Sequence, residues 1–561
     1  MNDLHKSKPL LWALLAAFIF VSLYALGLRT LVPPDEGRYA EMAREMLASG
    51  DWITTRLNGI KYFEKPPLQA WMNALSFAAF GLGDWQARLW TGVCGVLGVV
   101  LTGYAGAKVF GQRIGFYAAL VLGSCFYWVA SSQINSLDMG LSGMMTLSLC
   151  GLLIAQRDEA TAGERRNWML VCWAGMALAV LSKGLIGLML PGAVLVIYTF
   201  FTRDWKLWAR LHLFKGLLLF FAIAAPWFVL VAMKNPEQPH FFFIHEHWDR
   251  FFLKEHHREQ AWYMFFVLAI VGMVPWTGVM LQSLRLGARP ETGPAPGLDP
   301  TFRPRLMLLI WAGFIILFFT KSNSKLPGYI LPIFPALALL VAIYLEAGSR
   351  RSRIVTAALM SLVGAALLAT VPLMPKMARH ANEAVLYQAY QPWVLAAGFV
   401  ALTGGALAVV YARQRQRDLM VLALAITGFA TTEIMLAGFE PLAQGRAGAN
   451  LLPAIRAELK PDTKIYSVGI YEQSLTFYLR RTVVLVNYTD EFSFGLQQQP
   501  ELAIPTVAGF VAQWTRDAAA GVRDVAIIDA DIYNDLKQQG VPMRVVAADS
   551  RRTVIANDLP Q

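Results

Sequence analysis

Apolar segments long enough to cross a bilayer recur through the first 440 residues, separated by polar turns and loops. They lie near 9–28, 91–109, 114–131, 138–156, 167–182, 185–202, 214–233, 261–283, 306–320, 329–345, 354–373, 392–411 and 418–437. Most approach the roughly 20 residues that a helix needs to span the hydrocarbon core. Water is absent there and backbone groups must be satisfied internally, so the expected fold is a polytopic α-helical membrane protein of about thirteen helices. Composition agrees, with 56% hydrophobic and only 16% charged residues. The four cysteines, Cys94, Cys125, Cys150 and Cys172, all fall in apolar segments and suggest no disulfide framework or thiolate metal site.

The net charge of +11 does not point to nucleic acid, because the basic residues come in short clusters between apolar segments. Lys108 with Arg113, Arg157 with Arg165 and Arg166, Arg203 with Lys206 and Arg210, Arg285 with Arg289, Arg350 with Arg351 and Arg353, and Arg413 with Arg415 and Arg417 form these clusters. All share one face, expected to be cytoplasmic, if Leu68 to Phe80 does not cross. That segment is short and carries Gln69, Asn73 and Ser76, which suits a membrane-surface helix or a re-entrant piece. Lys6 and Lys8 before the first apolar run resemble the start of a signal peptide, but the run is long and no clear cleavage site precedes Arg29. An uncleaved first span is expected, with its N-terminus in the cytoplasm.

This parity gathers the suggestive polar residues on the opposite, extracytoplasmic face. They comprise a first loop and its flanking interfacial helices (29–90), the turns at Asn135 to Asp138, Lys183 and Lys321 to Gly328, and loops at 234–260 and 375–391. No Rossmann fingerprint or phosphate loop marks the cytoplasmic side, so an activated substrate is expected to be lipid-borne. The chain divides into a membrane domain, 1–440, and a small extracytoplasmic α/β domain, 441–561. In the latter, strand-like runs at 464–470, 482–486, 525–529 and 544–547 alternate with helical stretches at 472–479, 506–519 and 531–539. No nucleophile elbow or metal motif marks that domain, for which a structural or acceptor-related role is expected.

Within the first loop, Pro33, Pro34 and Asp35 read as a helix start, and Tyr39, Met42, Ala43, Met46 and Leu47 form an apolar stripe with Glu41, Arg44 and Glu45 facing away. A short helix on the membrane surface fits that period. Asp35 then serves either as a cap or as a carboxylate aimed into a cavity beneath the loop. Lys65, stiffened by Pro66 and Pro67 and preceded by Tyr62 and Glu64, is either an interface anchor or a ligand for a lipid phosphate. Asp138 is likewise a helix cap or a functional acid, Arg250 an interface anchor or an anion ligand, and Lys183 a helix terminator. Five of the eight histidines, His240, His245, His247, His256 and His257, share one loop. The two-residue spacing of His245 and His247 does not place both on one helix face, so a divalent metal held there with Glu64 is the weaker reading beside an aromatic, interfacial loop.

The sequence PPDEGRYAEMAREML, then GDW and YFEKPP after the first span, resembles the polyprenyl-phosphate-dependent glycosyltransferases related to protein O-mannosyltransferases. More closely, it resembles the aminoarabinose transferases that modify lipid A. SLDMG with Asp138, SKG with Lys183, APW with Pro226, EHWDRF with Glu246, His247 and Arg250, and KLPGY with Lys325 and Tyr329 extend the likeness to about residue 330. The resemblance implies a C-type glycosyltransferase fold in the bacterial inner membrane. It implies inverting transfer of 4-amino-4-deoxy-L-arabinose from undecaprenyl phosphate to a lipid A phosphate, a modification that gives resistance to cationic peptides such as polymyxin. It further implies that Asp35 is the main catalytic carboxylate, with Asp138 a second. Lys65 and Arg250 would hold the donor phosphate, and Tyr62, Tyr329, Arg38, Tyr39 and Glu36 would shape the substrate site. Glu36, Glu64 or Asp138 would be suited to the sugar ammonium. Another polyprenyl-phosphate-sugar transferase is the nearest alternative. A transporter is less favoured, since polar groups collect on one face and no internal repeat is evident.

Overall fold

The computed structural model describes residues 3–242, 260–291, 301–378 and 381–557. The chain opens with α1 (Lys8–Ala25), followed by α2 (Asp35–Ser49), α3 (Leu68–Phe80) and α4 (Asp84–Phe110). Next come α5 (Gln112–Leu122), α6 (Phe126–Ser132), α7 (Leu137–Gln156), α8 (Ala162–Lys183), α9 (Ile186–Thr202) and α10 (Leu213–Lys234). Further long helices span Pro304–Lys321, Phe334–Ala347, Arg350–Thr370, Ala381–Arg413 and Arg417–Ala437. The largest core runs from α4 through α9 to the Phe334–Ala347 helix. Leu337, Leu339, Leu340 and Val341 of that helix are buried, as are Met144, Met145 and Leu149 of α7. By contrast α1 buries only Ser22, as a helix facing lipid should.

Nine helices among the described residues are long and apolar enough to span a bilayer, or eleven if each of two bent pairs is one span. The expected thirteen therefore exceeds what helix length and composition establish. α8 carries Glu164, Arg165 and Arg166 near its start and ends at Lys183, which shortens its uncharged middle, and α9 has only 17 residues. The segment expected at 261–283 is not a straight span. It breaks into Met264–Gly272 and Thr277–Gly287, bent by 109° around Pro275, and α5 and α6 meet at 64°. The loop expected to reach residue 391 is helical from Ala381 onward. α3 has 13 residues, too few to cross, and is packed on α2 and α4.

α2 departs most from expectation. Its first residue is Asp35, after Pro34 at the cap position, so Asp35 is not the cap and makes no capping bond. Asp35 and Glu36 still favour this helix start by opposing the positive end of its dipole. Gly50, at φ +70° in the left-handed region, ends the helix and donates to the Met46 carbonyl at 3.1 Å. The helix does not present a solvated face: Glu41 and Glu45 are buried along with the apolar stripe. Glu41 takes both Arg44 Nε and Nη2 at 2.7 Å, and Glu45 accepts Gly59 N at 2.8 Å.

The C-terminal domain is what covers α2. Its sheet runs β5 (Ala503–Ile504), β4 (Val484–Val486), β3 (Lys464–Val468), β6 (Asp524–Asp529), β8 (Arg552–Ala556), β7 (Arg544–Ala548). β3, β4, β5 and β6 are mutually parallel, while β8 is antiparallel to both β6 and β7. One face packs with Tyr39, Met42, Leu57, Ile60 and Tyr62 of the first loop, so loop and domain share one apolar core. Gly37 is a forced small residue, since a Cβ there would meet Ser474 Oγ at 2.6 Å. A hairpin of β1 (Arg56–Leu57) and β2 (Ile60–Lys61) turns through Asn58 and Gly59, both at positive φ. Asn58 seals the join by donating from Nδ2 to the Val483 carbonyl at 2.8 Å and accepting from Val483 N at 2.7 Å.

Candidate active site

A cavity of about 320 Å³ opens where the first turns of α2 and α7, the Glu64–Lys65 corner, the end of α8 and the Ser322–Tyr329 turn converge. Its charged lining is Asp35, Arg38, Glu64, Lys65, Asp138 and Lys183, three acids and three bases, with Tyr39 and Tyr329 beside them. The remaining wall is mainly apolar, from Leu137, Leu141, Ile186, Phe318, Phe319 and Leu326, with Ser322 and Ser324 among them. Fixed charges in an apolar wall interact more strongly than in water, so this lining can stabilise charge that develops inside the cavity.

Each charge is held in place. Arg38 Nη1 donates to Asp35 Oδ1 at 2.8 Å, while its Nε donates to Glu491 of the C-terminal domain at 2.6 Å. Asp35 itself stays half-exposed, its side chain 51% open, so it faces the cavity rather than disappearing into the pair. Burial opposes the Arg38 charge, but Tyr62, Glu491, Tyr39 and Asp35 around it hold the guanidinium protonated. Burial pushes the Tyr39 and Tyr62 phenols far above their ordinary value, so both remain hydrogen-bond donors. Lys65 Nζ donates to the Glu64 carbonyl at 2.8 Å, bending its ammonium back over the corner.

Asp138 sits in the first turn of α7 behind Ser136 at the cap position, and makes an ion pair with Lys183. The Lys183 ammonium also stands 4.8 Å from the centre of the Tyr329 ring, a cation–π contact. Gly328 makes room for this arrangement: a Cβ there would stand 3.0 Å from Asp138 Cβ and closer still to its carboxylate. Lys183, read from sequence as a helix terminator, is thus a cavity residue. The SKG tripeptide was its only signal.

The sequence-predicted residues separate into three groups. Asp35, Arg38, Tyr39, Glu64, Lys65, Asp138 and Tyr329 line the cavity together. Tyr62 and Glu36 do not. Tyr62 is buried in the core shared with the C-terminal domain. Glu36 turns inward to Arg88, taking Nε at 2.6 Å and Nη2 at 2.9 Å, and accepts Val32 N and Asn135 N as well. Burial raises the Glu36 carboxyl, but Arg88 outweighs it and holds the group below the ordinary range. Arg250, His245 and His247 lie outside the described residues, with Glu246, His256 and His257. Among the described residues, no group of three His, Cys, Asp or Glu side chains has the geometry to hold a metal ion.

Comparison with known proteins follows the same division of the chain. Residues 64–230 match the family model of dolichyl-phosphate-mannose-protein mannosyltransferase, and residues 451–557 that of the aminoarabinose transferase C-terminal domain. The crystal structure of ArnT from Cupriavidus metallidurans bound to undecaprenyl phosphate superposes with a TM-score of 0.91 at 38% identity, covering 99% of this chain and 100% of that one. An undecaprenyl phosphate-alpha-4-amino-4-deoxy-L-arabinose arabinosyl transferase of Aeromonas salmonicida is 31% identical over 70% of this chain and 72% of its own. One of the same description from Edwardsiella ictaluri is 32% identical, over 59% of this chain and 58% of its own length. Fold and cavity therefore define a multi-pass membrane glycosyltransferase that uses a sugar carried on a lipid phosphate. Within that class, the chain belongs to the aminoarabinose transferase family.

Proposed function

We propose that the protein transfers 4-amino-4-deoxy-L-arabinose from undecaprenyl phosphate to a phosphate of lipid A, at the periplasmic face of the bacterial inner membrane. Supporting this is one observation above the others: three cations and three carboxylates line a single cavity under an extramembranous domain. The relatives' names supply the sugar and its carrier. The clustering of Lys and Arg away from the cavity supports its periplasmic placement.

In the proposed reaction a lipid A phosphate oxygen attacks the anomeric carbon and forms the new glycosidic bond. The bond from that carbon to the donor phosphate oxygen breaks, its electron pair leaving with undecaprenyl phosphate, and the configuration inverts. Charge grows on the departing phosphate, where Lys65 supplies a compact cation and Arg38 a planar one; the family resemblance gives Arg250 the same role. The attacking phosphate is anionic at neutral pH, so no strong base is required of Asp35. Its half-exposed carboxylate is suited to positive charge developing at the sugar ring. Glu64 and Asp138 offer acceptors for the sugar ammonium.

Lipid A mass spectrometry tests the reading, in cells that make the aminoarabinose donor and either contain or lack the protein. The wild type should add the aminoarabinose mass and lower polymyxin sensitivity. Asp35→Asn and Lys65→Ala should abolish the addition while inserting normally. An unmodified lipid A despite full expression of the wild type would overturn the proposed acceptor.

A further inference from the structure

Away from the active-site cavity, three helix starts converge. α4 connects the two regions. Asp84, in its first turn, accepts the Tyr478 hydroxyl of the C-terminal domain at 2.7 Å, and its last turn reaches Phe110, roughly 40 Å away by helix rise. At that far end α5 begins with Gln112 and Arg113. The Arg350–Thr370 helix begins with Arg350 and carries Arg353 in its first turn, and the Arg417–Ala437 helix begins with Arg417 just after Arg415. These five arginines and Asp418 line a second cavity of about 300 Å³.

A basic membrane face accounts for arginines in these loops, but not for their convergence on one cavity. Helix starts carry the positive end of the dipole, so arginine in a first turn is electrostatically misplaced, and here it is misplaced three times around the same space. Internal partners leave most of that charge standing. Asp418, the single carboxylate of the lining, accepts the Tyr117 hydroxyl at 2.6 Å and Leu4 N at 3.0 Å, with Arg113 Nε 3.6 Å away. Arg113 Nη2 reaches Asp3 at 3.1 Å. Arg350 and Arg353 donate to the main-chain carbonyls of Arg413 and Gly348, at 2.5 and 2.6 Å, which orients their guanidinium planes without neutralising them. Five guanidinium groups against Asp418 in the lining, with Asp3 paired to Arg113 beside it, leave a formal surplus of three positive charges.

We propose that this second cavity binds a phosphate group, either free or esterified in a lipid headgroup, on the face opposite the active site. The planar guanidinium fork matches phosphate oxygens in pairs, and an anion there answers both the arginine surplus and the three helix dipoles. The volume admits a phosphate with a small substituent such as glycerol. Its two sources are an anionic phospholipid headgroup, which lies at this level of a bilayer, and a free phosphate. The inference does not depend on the reading of the catalytic cavity.

Thermal unfolding and native mass spectrometry of the full chain in neutral detergent test it. Phosphatidylglycerol, inorganic phosphate and, as a zwitterionic control, phosphatidylcholine are titrated in turn. Stabilisation by phosphatidylglycerol alone, with a retained lipid adduct, identifies a headgroup, and equal stabilisation by inorganic phosphate identifies the free anion. Arg415→Gln combined with Arg417→Gln should weaken that binding by roughly tenfold or more. Arg415 is exposed, so R415Q alone serves if the double variant folds poorly, with a smaller loss in the same direction. Lys65→Ala, in the active-site cavity, should leave the binding unchanged. No phosphate-specific stabilisation of the wild type, undiminished binding in the arginine variants, or loss in Lys65→Ala would each overturn the proposal.

Discussion

Arg38 and Glu491 are 453 residues apart in the chain and 2.6 Å apart in space. Through this contact the C-terminal domain reaches the cavity wall without lining the cavity itself. Gln473 donates to the other Glu491 oxygen at 2.6 Å, so the carboxylate is fixed from its own domain and in turn fixes Arg38. Burial raises the Glu491 carboxyl, while Arg38 pulls it down. Glu491→Gln replaces a charge-assisted bond with a neutral one and should slow transfer about tenfold. As a positioning effect the loss should appear in kcat more than in donor KM, and steady-state kinetics with purified lipid substrates distinguish the two.

Gly328 predicts a steric route to inactivation. Its missing side chain leaves the space filled by the Asp138 carboxylate, which is ion-paired to Lys183. Gly328→Ala should displace Asp138 and cost about 1–3 kcal/mol of packing energy, with most of the activity lost. Lys183→Met should reproduce the activity loss, and combining it with Asp138→Asn should add little, because each single change already breaks the same pair. Additive losses in that double-mutant cycle would show that the two residues act independently.

The adjacent acids of α2 should respond in opposite ways. Glu36 is buried on Arg88 and accepts hydrogen bonds from Val32 N and Asn135 N, whereas Asp35 is half-exposed to the cavity. Removing one partner of a buried ion pair costs about 3–5 kcal/mol. Glu36→Gln should therefore lower the melting temperature and the yield of inserted protein. Asp35→Asn should remove activity at unchanged stability, and thermal melts of both variants in detergent check the contrast.

Sequence periodicity located most of the helices, because an apolar run of that length has few other outcomes, and alternation located four of the six C-terminal strands. Missed were Ala503–Ile504, only two residues long, and Arg552–Ala556, which directly follows another strand across a tight turn. The Asn58-Gly59 hairpin carries a strong local signal that went unused. Helical period put Glu41 and Glu45 on a solvated face, since no local pattern reveals that a domain from the far end of the chain covers them. Distance in sequence hid Glu491 for the same reason, and Lys183 resembles any lysine that ends a membrane helix. Asp35, Lys65, Asp138 and Tyr329, which share one cavity, are singled out by family motifs, because local spacing alone favours a cap for Asp35 and an interface anchor for Lys65 and leaves Asp138 evenly divided.

Asp524 should make the C-terminal domain pH-sensitive. Its two carboxylate oxygens are buried beside Asp517. Burial, with the nearby Asp517 charge, pushes its carboxyl up from 3.8 to about 7. Asp517 moves the other way: burial acts against it, but Gln513 and Lys464 hold it below the usual range. Asp524 has a folded-state value above its unfolded one, so the folded state binds the extra proton between those values. Its stabilising contribution is complete below about pH 4 and is lost as pH rises through about 7. Asp517 is ionised in both states above pH 5 and does not mask the trend. The melting temperature of the full chain should fall between pH 5 and pH 8, assayed at constant ionic strength. Asp524→Asn, which cannot ionise, should flatten that slope and melt higher than the wild type at pH 8. An unchanged slope in the variant would place the pH response in another group.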